Sequence, residues 1–393
     1  MFSSRLPASL ADNALTRARS RLEAAGVSLI DLTVSNPTVV GLSYPADVLT
    51  PLSDARAATY VPEPLGLPAA RDAVAGALSA TGAVVSSARV VLTSSTSEAY
   101  ALLFKLLCDP GDAVLVPQPS YPLLESLARL EGVALRPYRL DYQGAWTIDR
   151  PSLEDAARPP TPTARAVVVV SPNNPTGSFV RAGDRDWLAA FAASRGLAVI
   201  SDEVFADYPL RPRPDASTFR GESAALTFVL GGLSKSAGLP QVKLGWLAAG
   251  GPAALVADAV TRLEVIADSY LSVATPVQIA ASALLRAGAE MRRAIQARLV
   301  RNLDALDAQV ARHPAVTLLD PEGGWSAVLR VPATASEEAL ALHLLESAHV
   351  VVHPGYLFDF PDGAFLVVSL LARPDTFDAG LDRLLSVAAA GVR

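Results

Sequence analysis

The chain has 393 residues, 51% of them hydrophobic and 18% charged, which is long and apolar enough to bury a sizeable core in two domains. A formal charge of −6 without a basic tract argues against a nucleic-acid partner, and no apolar run reaches the roughly 18 residues of a membrane span. One cysteine, Cys108, excludes an internal disulfide framework, and the four histidines show no metal-ligand spacing, so a cytoplasmic, metal-free protein is expected.

At the start, "MFSSRLPASLADNALTRARSRLEAAG" lacks the apolar stretch of a secretory signal and reads as a surface helix. Between about residues 85 and 250, strand-length apolar runs alternate with helical segments. "RVVLT" precedes "SEAYALLFKLL", "DAVLVPQ" precedes "SYPLLESLARLEG", and "ARAVVVVSP" precedes "AGDRDWLAAFAASRG", which leads into "LAVISDE". That alternation predicts a parallel sheet covered on both faces. "LTFVLGG" and "KLGWLAAGG" supply two more strands, and residues 251–312 turn helical. Shorter strands follow at 325–331 and 364–371, separated by a helix near 335–347 and closed by one near 374–389. The pattern predicts a large α/β domain over 45–285 and a smaller α+β domain built from 1–44 and 286–393.

Ligands of open α/β sheets collect beyond the carboxyl ends of the strands. After "AVVVV" comes "SPNNPTGS", with Asn174 in a Pro- and Gly-punctuated turn; it either bonds its own backbone or offers an amide to a ligand. After "LAVI" comes Asp202, where a carboxylate needs a partner or solvent; helix capping is the bland alternative. After "LTFVL" comes "GGLSK", which places Lys235 beyond a strand with no acidic residue nearby in sequence. Lysine's pKa falls on burial and its neutral amine forms Schiff bases with carbonyls, whereas a snorkelling lysine would be ordinary. Together an amide, a carboxylate and an amine leave successive strands, 28 and then 33 residues apart. They are the set that holds an aldehyde-bearing pyridine ring, and "TSSTSEAYALL" offers a helix start at Ser95, Thr96 and Ser97 for its phosphate.

The ordered motifs "SPNNPTG", "SDEV" and "LSKSAGLPQVKLGW" make the chain resemble the class I/II aminotransferases of fold type I that depend on pyridoxal 5′-phosphate, the group that includes aspartate aminotransferase, from about residue 28 to 390. The resemblance implies a mostly parallel seven-stranded sheet in the large domain and a homodimer with shared sites. By resemblance Lys235 carries the Schiff base, Asp202 pairs with the pyridine nitrogen, Asn174 bonds the phenolic oxygen and Tyr121 stacks on the ring. Ser95, Thr96, Ser97 and Ser234 belong to the cofactor cradle. Tyr60, in "ATYVPEPLGLPAAR", matches the tyrosine that reaches the neighbouring subunit's phosphate, and Lys243 stands where an arginine usually grips the phosphate.

Several positions depart from the family's pattern. Gly232 replaces a phosphate-binding serine, and Phe205 replaces a tyrosine that bonds the phenolic oxygen. Val367, in "AFLVVSLL", stands where an arginine usually forks the substrate α-carboxylate, a contact of about 1.5–3 kcal/mol. Arg373 is the nearest substitute and Arg330 a second; either can equally be a solvated surface group. Ser35 and Tyr356 are expected to line the substrate pocket, which would then be aromatic and uncharged and would favour apolar or aromatic donors. The expected activity is amino transfer between an L-amino acid and a 2-oxo acid. A carbon–sulfur β-lyase or an amino-acid decarboxylase is the alternative; a regulatory module and a serine hydrolase are disfavoured.

Overall fold

The computed structural model describes residues 2–390 except 8, 81, 159–161, 212, 222 and 362. The chain opens with α1 (Ala14–Ala24), β1 (Ile30–Asp31) and α2 (Pro68–Ser79). A strand–helix alternation follows: β2 (Val90–Thr93), α3 (Thr96–Leu107), β3 (Ala113–Gln118), α4 (Leu123–Glu131), β4 (Ala134–Tyr142) and β5 (Trp146–Ile148). Next come α5 (Arg150–Ala156), β6 (Ala164–Val170), α6 (Ala182–Arg195), β7 (Ala198–Asp202) and β8 (Thr227–Gly232). The short α7 (Leu233–Ser236), β9 (Gly245–Gly250), α8 (Ala253–Asp268) and the 36-residue α9 (Thr275–Val310) complete this part. The remainder holds β10 (Thr317–Leu319), β11 (Ser326–Arg330), α10 (Glu337–His343), β12 (Val350–Val351), β13 (His353–Pro354), β14 (Phe365–Ser369) and α11 (Pro374–Ala390).

The large sheet has the order β2-β9-β8-β7-β6-β3-β4-β5. Strands β8, β7, β6, β3 and β4 run parallel, β9 lies antiparallel between β8 and β2, and β5 adds a short antiparallel edge beyond the seven strands expected. The central strands are apolar throughout because helices cover both faces. In β6, Ala166, Val168 and Val170 enter the core under α3, α4 and α8, while Val167 and Val169 enter the core under α6. A four-stranded antiparallel sheet, β10-β11-β14-β13, packs with α10, α11 and the later part of α9.

Helix α9 connects two cores. Its Leu284 and Leu285 pack with α2 and β2, whereas Ile295, Leu299, Leu303 and Leu306 pack with the smaller sheet. Leu32 and Val40 join that second core, and Tyr44 the first. The packing partners change between Leu42 and Tyr44 and again, inside the continuous α9, between Leu285 and Ile295. No helix among the described residues is long and apolar enough to cross a membrane.

Candidate active site

The carboxyl ends of β6, β7 and β8 open onto a cavity of about 320 Å³. Asn174 lies four residues beyond β6, Asp202 is the last residue of β7, and Lys235 sits in the turn of helix that follows β8. All three line the cavity, with Ser35, Ser95, Thr96, Ser97, Tyr121, Phe205 and Ser234. The structure thus brings together ten of the expected residues.

Local sequence explains why each group points inward. The "SPNNPTG" turn is closed by Asn173, whose side-chain N–H groups reach Pro119 O and Thr176 Oγ1 at 3.2 and 2.9 Å. Gly177 takes a positive φ there, and a Cβ on it would lie 2.6 Å from Gly323 O. Asn174 Oδ1 accepts from Ser326 Oγ at 3.5 Å, a long contact. On the phosphate side, Ser95 caps α3 by accepting Glu98 N–H at 3.1 Å, while Glu98 accepts Ser94 N–H at 2.6 Å. The first-turn N–H groups of Thr96 and Ser97 have no carbonyl within the helix to bond. Gly245 permits this close approach: a Cβ there would meet Ser95 C at 2.8 Å.

The lysine turn is anchored from three sides. The Tyr208 hydroxyl donates to Lys235 O, Ser236 Oγ to Gly232 O, and Arg292 to Ser236 O. The Lys235 amine lies 4.5 Å from the Trp325 ring centroid and 5.3 Å from that of Phe205. Burial pushes it down to about 8, with Asp202 pulling the other way. Burial pushes Asp202 up to about 6, against the opposing pull of the Val204 N–H and the Tyr100 hydroxyl. Among the described lining residues these two are the only charged groups.

Other expected residues lie outside the lining. Lys243 is exposed in a left-handed turn, although its neighbours Leu244 and Pro240 do line the cavity. Tyr60 is 68% exposed beside a separate cleft with Leu271 and Val273. Arg373 stays on the surface near Gly41 and Asp375, Arg330 is exposed at the end of β11, and Tyr356 is exposed with its N–H donated to Glu337. Val367 is 2% exposed within an apolar layer containing Val328, Phe358 and Phe365. The cavity also recruits Tyr100, Leu123, Leu124, Leu127, Trp325 and Ser326, none of which stands out in the sequence as a site residue. Tyr100 stands one helical turn after Thr96, and that spacing is the one signal that marks it.

The profile of the family described as aminotransferase class I and II matches residues 28–383. The chain belongs to that family. This aminotransferase is 26% identical over 385 residues to an alanine aminotransferase of Mycobacterium bovis, covering 93% of this chain and 86% of that protein. It is 24% identical over 368 residues to a tyrosine aminotransferase of Caenorhabditis elegans, covering 90% and 77%. The solved alanine aminotransferase of Pyrococcus furiosus shares its fold, with a TM-score of 0.85 at 24% identity over 98% of this chain and 99% of that one. Class I and II aminotransferases use pyridoxal 5′-phosphate and act on amino acids and oxo acids. The cavity fits that cofactor chemically: a buried amine of lowered pKa, one carboxylate, one free amide nitrogen, and a helix start among hydroxyls.

Proposed function

We propose that this aminotransferase moves an amino group between an L-amino acid with an apolar or aromatic side chain and a 2-oxo acid. The observation that carries this reading is the lone pair of charges, Lys235 and Asp202, in a cavity otherwise walled by hydroxyls, an amide and apolar groups such as Tyr121, Leu124, Phe205 and Trp325. Pyridoxal phosphate supplies an electron-withdrawing ring that takes up the electron pair left by the substrate's α-proton. Lys235 would hold the cofactor covalently. Once displaced by the substrate amine it would move that proton, and titration near 8 leaves part of it neutral at working pH. Asp202 would pair with the ring nitrogen, Asn174 would donate to the phenolic oxygen, and Tyr121 and Phe205 would flank the ring. Thr96 and Ser97 N–H groups, with the Ser95 and Ser234 hydroxyls, would bind the phosphate, and Lys243 would add charge nearby.

With Arg373 and Arg330 outside the lining, the substrate carboxylate would fall to neutral donors, the Asn174 amide and the Ser35 hydroxyl. In a homodimer, the exposed Tyr60 would serve the neighbouring copy's site. A cytoplasmic location rests on the single cysteine. The missing countercharge also favours a second reading, chiefly a decarboxylase, because a carboxylate held without a cation in an apolar cavity is destabilised and its loss as carbon dioxide relieves that; a carbon–sulfur β-lyase keeps the carboxylate and shares only the cofactor's electron sink.

Loading the protein with pyridoxal phosphate and adding L-amino acids singly, without an oxo acid, tests the proposal. Conversion of the bound cofactor to its amine form with one equivalent of oxo acid would establish transfer and name the donor. Persistence of the aldehyde form while carbon dioxide, thiol or ammonia accumulates would establish the second reading instead.

A further inference from the structure

Tyr100 takes no part in the reading above, yet its hydroxyl lies against the only carboxylate among the described lining residues. It sits in α3, four residues after Thr96, with its ring 4% exposed and tilted against Phe104 at a centroid distance of 5.9 Å. The hydroxyl donates to Asp202 Oδ2 at 3.2 Å, and the Val204 N–H donates to Asp202 Oδ1 at 3.2 Å. Each carboxylate oxygen thus has one protein donor, from two different elements, which fixes the carboxylate plane.

We propose that Tyr100 is a positioning residue that keeps Asp202 ionised and oriented toward the cofactor's ring nitrogen, so that one rigid helix governs both the phosphate end and the nitrogen end of the site. The inference rests on the aminotransferase reading for its consequence, though not for the clamp itself. A phenylalanine would fill the same core, and burying a hydroxyl there is unfavourable unless it is bonded. Burial and the Asp202 charge push the Tyr100 phenol well above its ordinary range, so it stays protonated and able to donate. The other groups bearing on Asp202 cannot substitute for it. Lys235, from α7, favours the ionised form but is committed to the cofactor; Glu203 opposes it and is itself held by Arg220 at 2.9 Å; Tyr121, across the cavity, feels the Asp202 charge through space. A hydrogen bond to the charged form lowers the proton affinity of a carboxylate. Without it, the proton shared between Asp202 and the ring nitrogen moves toward Asp202, and the ring becomes a weaker electron acceptor.

Tyr100→Phe in the full chain tests this with two spectroscopic readouts. In cofactor-free protein, the ¹³C carboxyl titration of Asp202, assigned by comparison with Asp202→Asn, is expected to rise by about one pH unit, a roughly tenfold gain in proton affinity. In protein loaded with ¹⁵N-labelled pyridoxal phosphate, the ring-nitrogen resonance is expected to move toward the neutral value, with kcat lowered about tenfold and KM within about twofold. An unchanged Asp202 titration overturns the clamp, and an unchanged nitrogen resonance overturns its consequence, whatever the activity. If wild-type protein fails to retain the cofactor, the aminotransferase reading fails, while the carboxyl titration still decides whether Tyr100 holds Asp202 ionised.

Discussion

The carboxyl edge of the large sheet and the middle of β14 have opposite electrostatic character. At the edge, β7 and β8 deliver Asp202 and Lys235 into an enclosed cavity, and burial drives both toward neutrality. In β14 every residue, Val367 included, is buried and only Ser369 is polar. The first region holds charge where burial disfavours it, and the second is packed without any.

The largest expected effect comes from removing the amine. Lys235→Ala should lower single-turnover amino transfer by at least about 10³-fold, and retention of activity would break the assignment of the first region. Next, Val367→Arg should cost about 3 kcal/mol or more in denaturant unfolding, because the guanidinium would meet Val328, Phe358 and Phe365 without a countercharge. A stable variant that bound donors more tightly would show instead that β14 retains a usable arginine position.

The cofactor-free protein should be least stable between about pH 6 and 8. Asp202 titrates at about 6 when folded against an ordinary 3.8 when unfolded, so the folded protein holds more protons between these values and stability falls as pH rises through them. Lys235 titrates at about 8 against 10.5, so the unfolded chain holds more protons between 8 and 10.5 and stability recovers there. Asp202→Asn should accordingly stabilise the cofactor-free protein by about 1–2 kcal/mol at pH 7, discounted for water in the cavity, and by nothing below about pH 4. Thermal melts across that range check the sign, and a destabilised variant at pH 7 would contradict it. The smallest effect is at Phe205: Phe205→Tyr should lower the pH midpoint of the loaded protein's visible absorbance by about 0.7 unit, equivalent to one hydrogen bond of about 1 kcal/mol.

The parallel sheet and the three strand-exit groups were legible because apolar runs of strand length must be covered on both faces and ligand groups follow their carboxyl ends. Trp325 and Tyr100 were not, because an aromatic residue in an apolar segment reads as core until its neighbours in space are known. Arg373 illustrates the converse limit. Its distance along the chain made it a candidate for the substrate carboxylate, but the turn after β14 carries it to Asp375 on the surface. The short strand β5 escaped notice because three residues carry too little periodicity.

The chain contains only three lysines, Lys105, Lys235 and Lys243. Lys105 pairs with Glu131 at 2.5 Å and Lys243 is exposed, so covalent capture of the cofactor has few possible addresses. Borohydride reduction of the pyridoxal phosphate-loaded protein followed by peptide mass mapping is the most direct test of the central claim. A single pyridoxyl phosphate adduct on the peptide carrying Lys235 is the predicted result. An adduct confined to Lys105 or Lys243, or none at all, would contradict it.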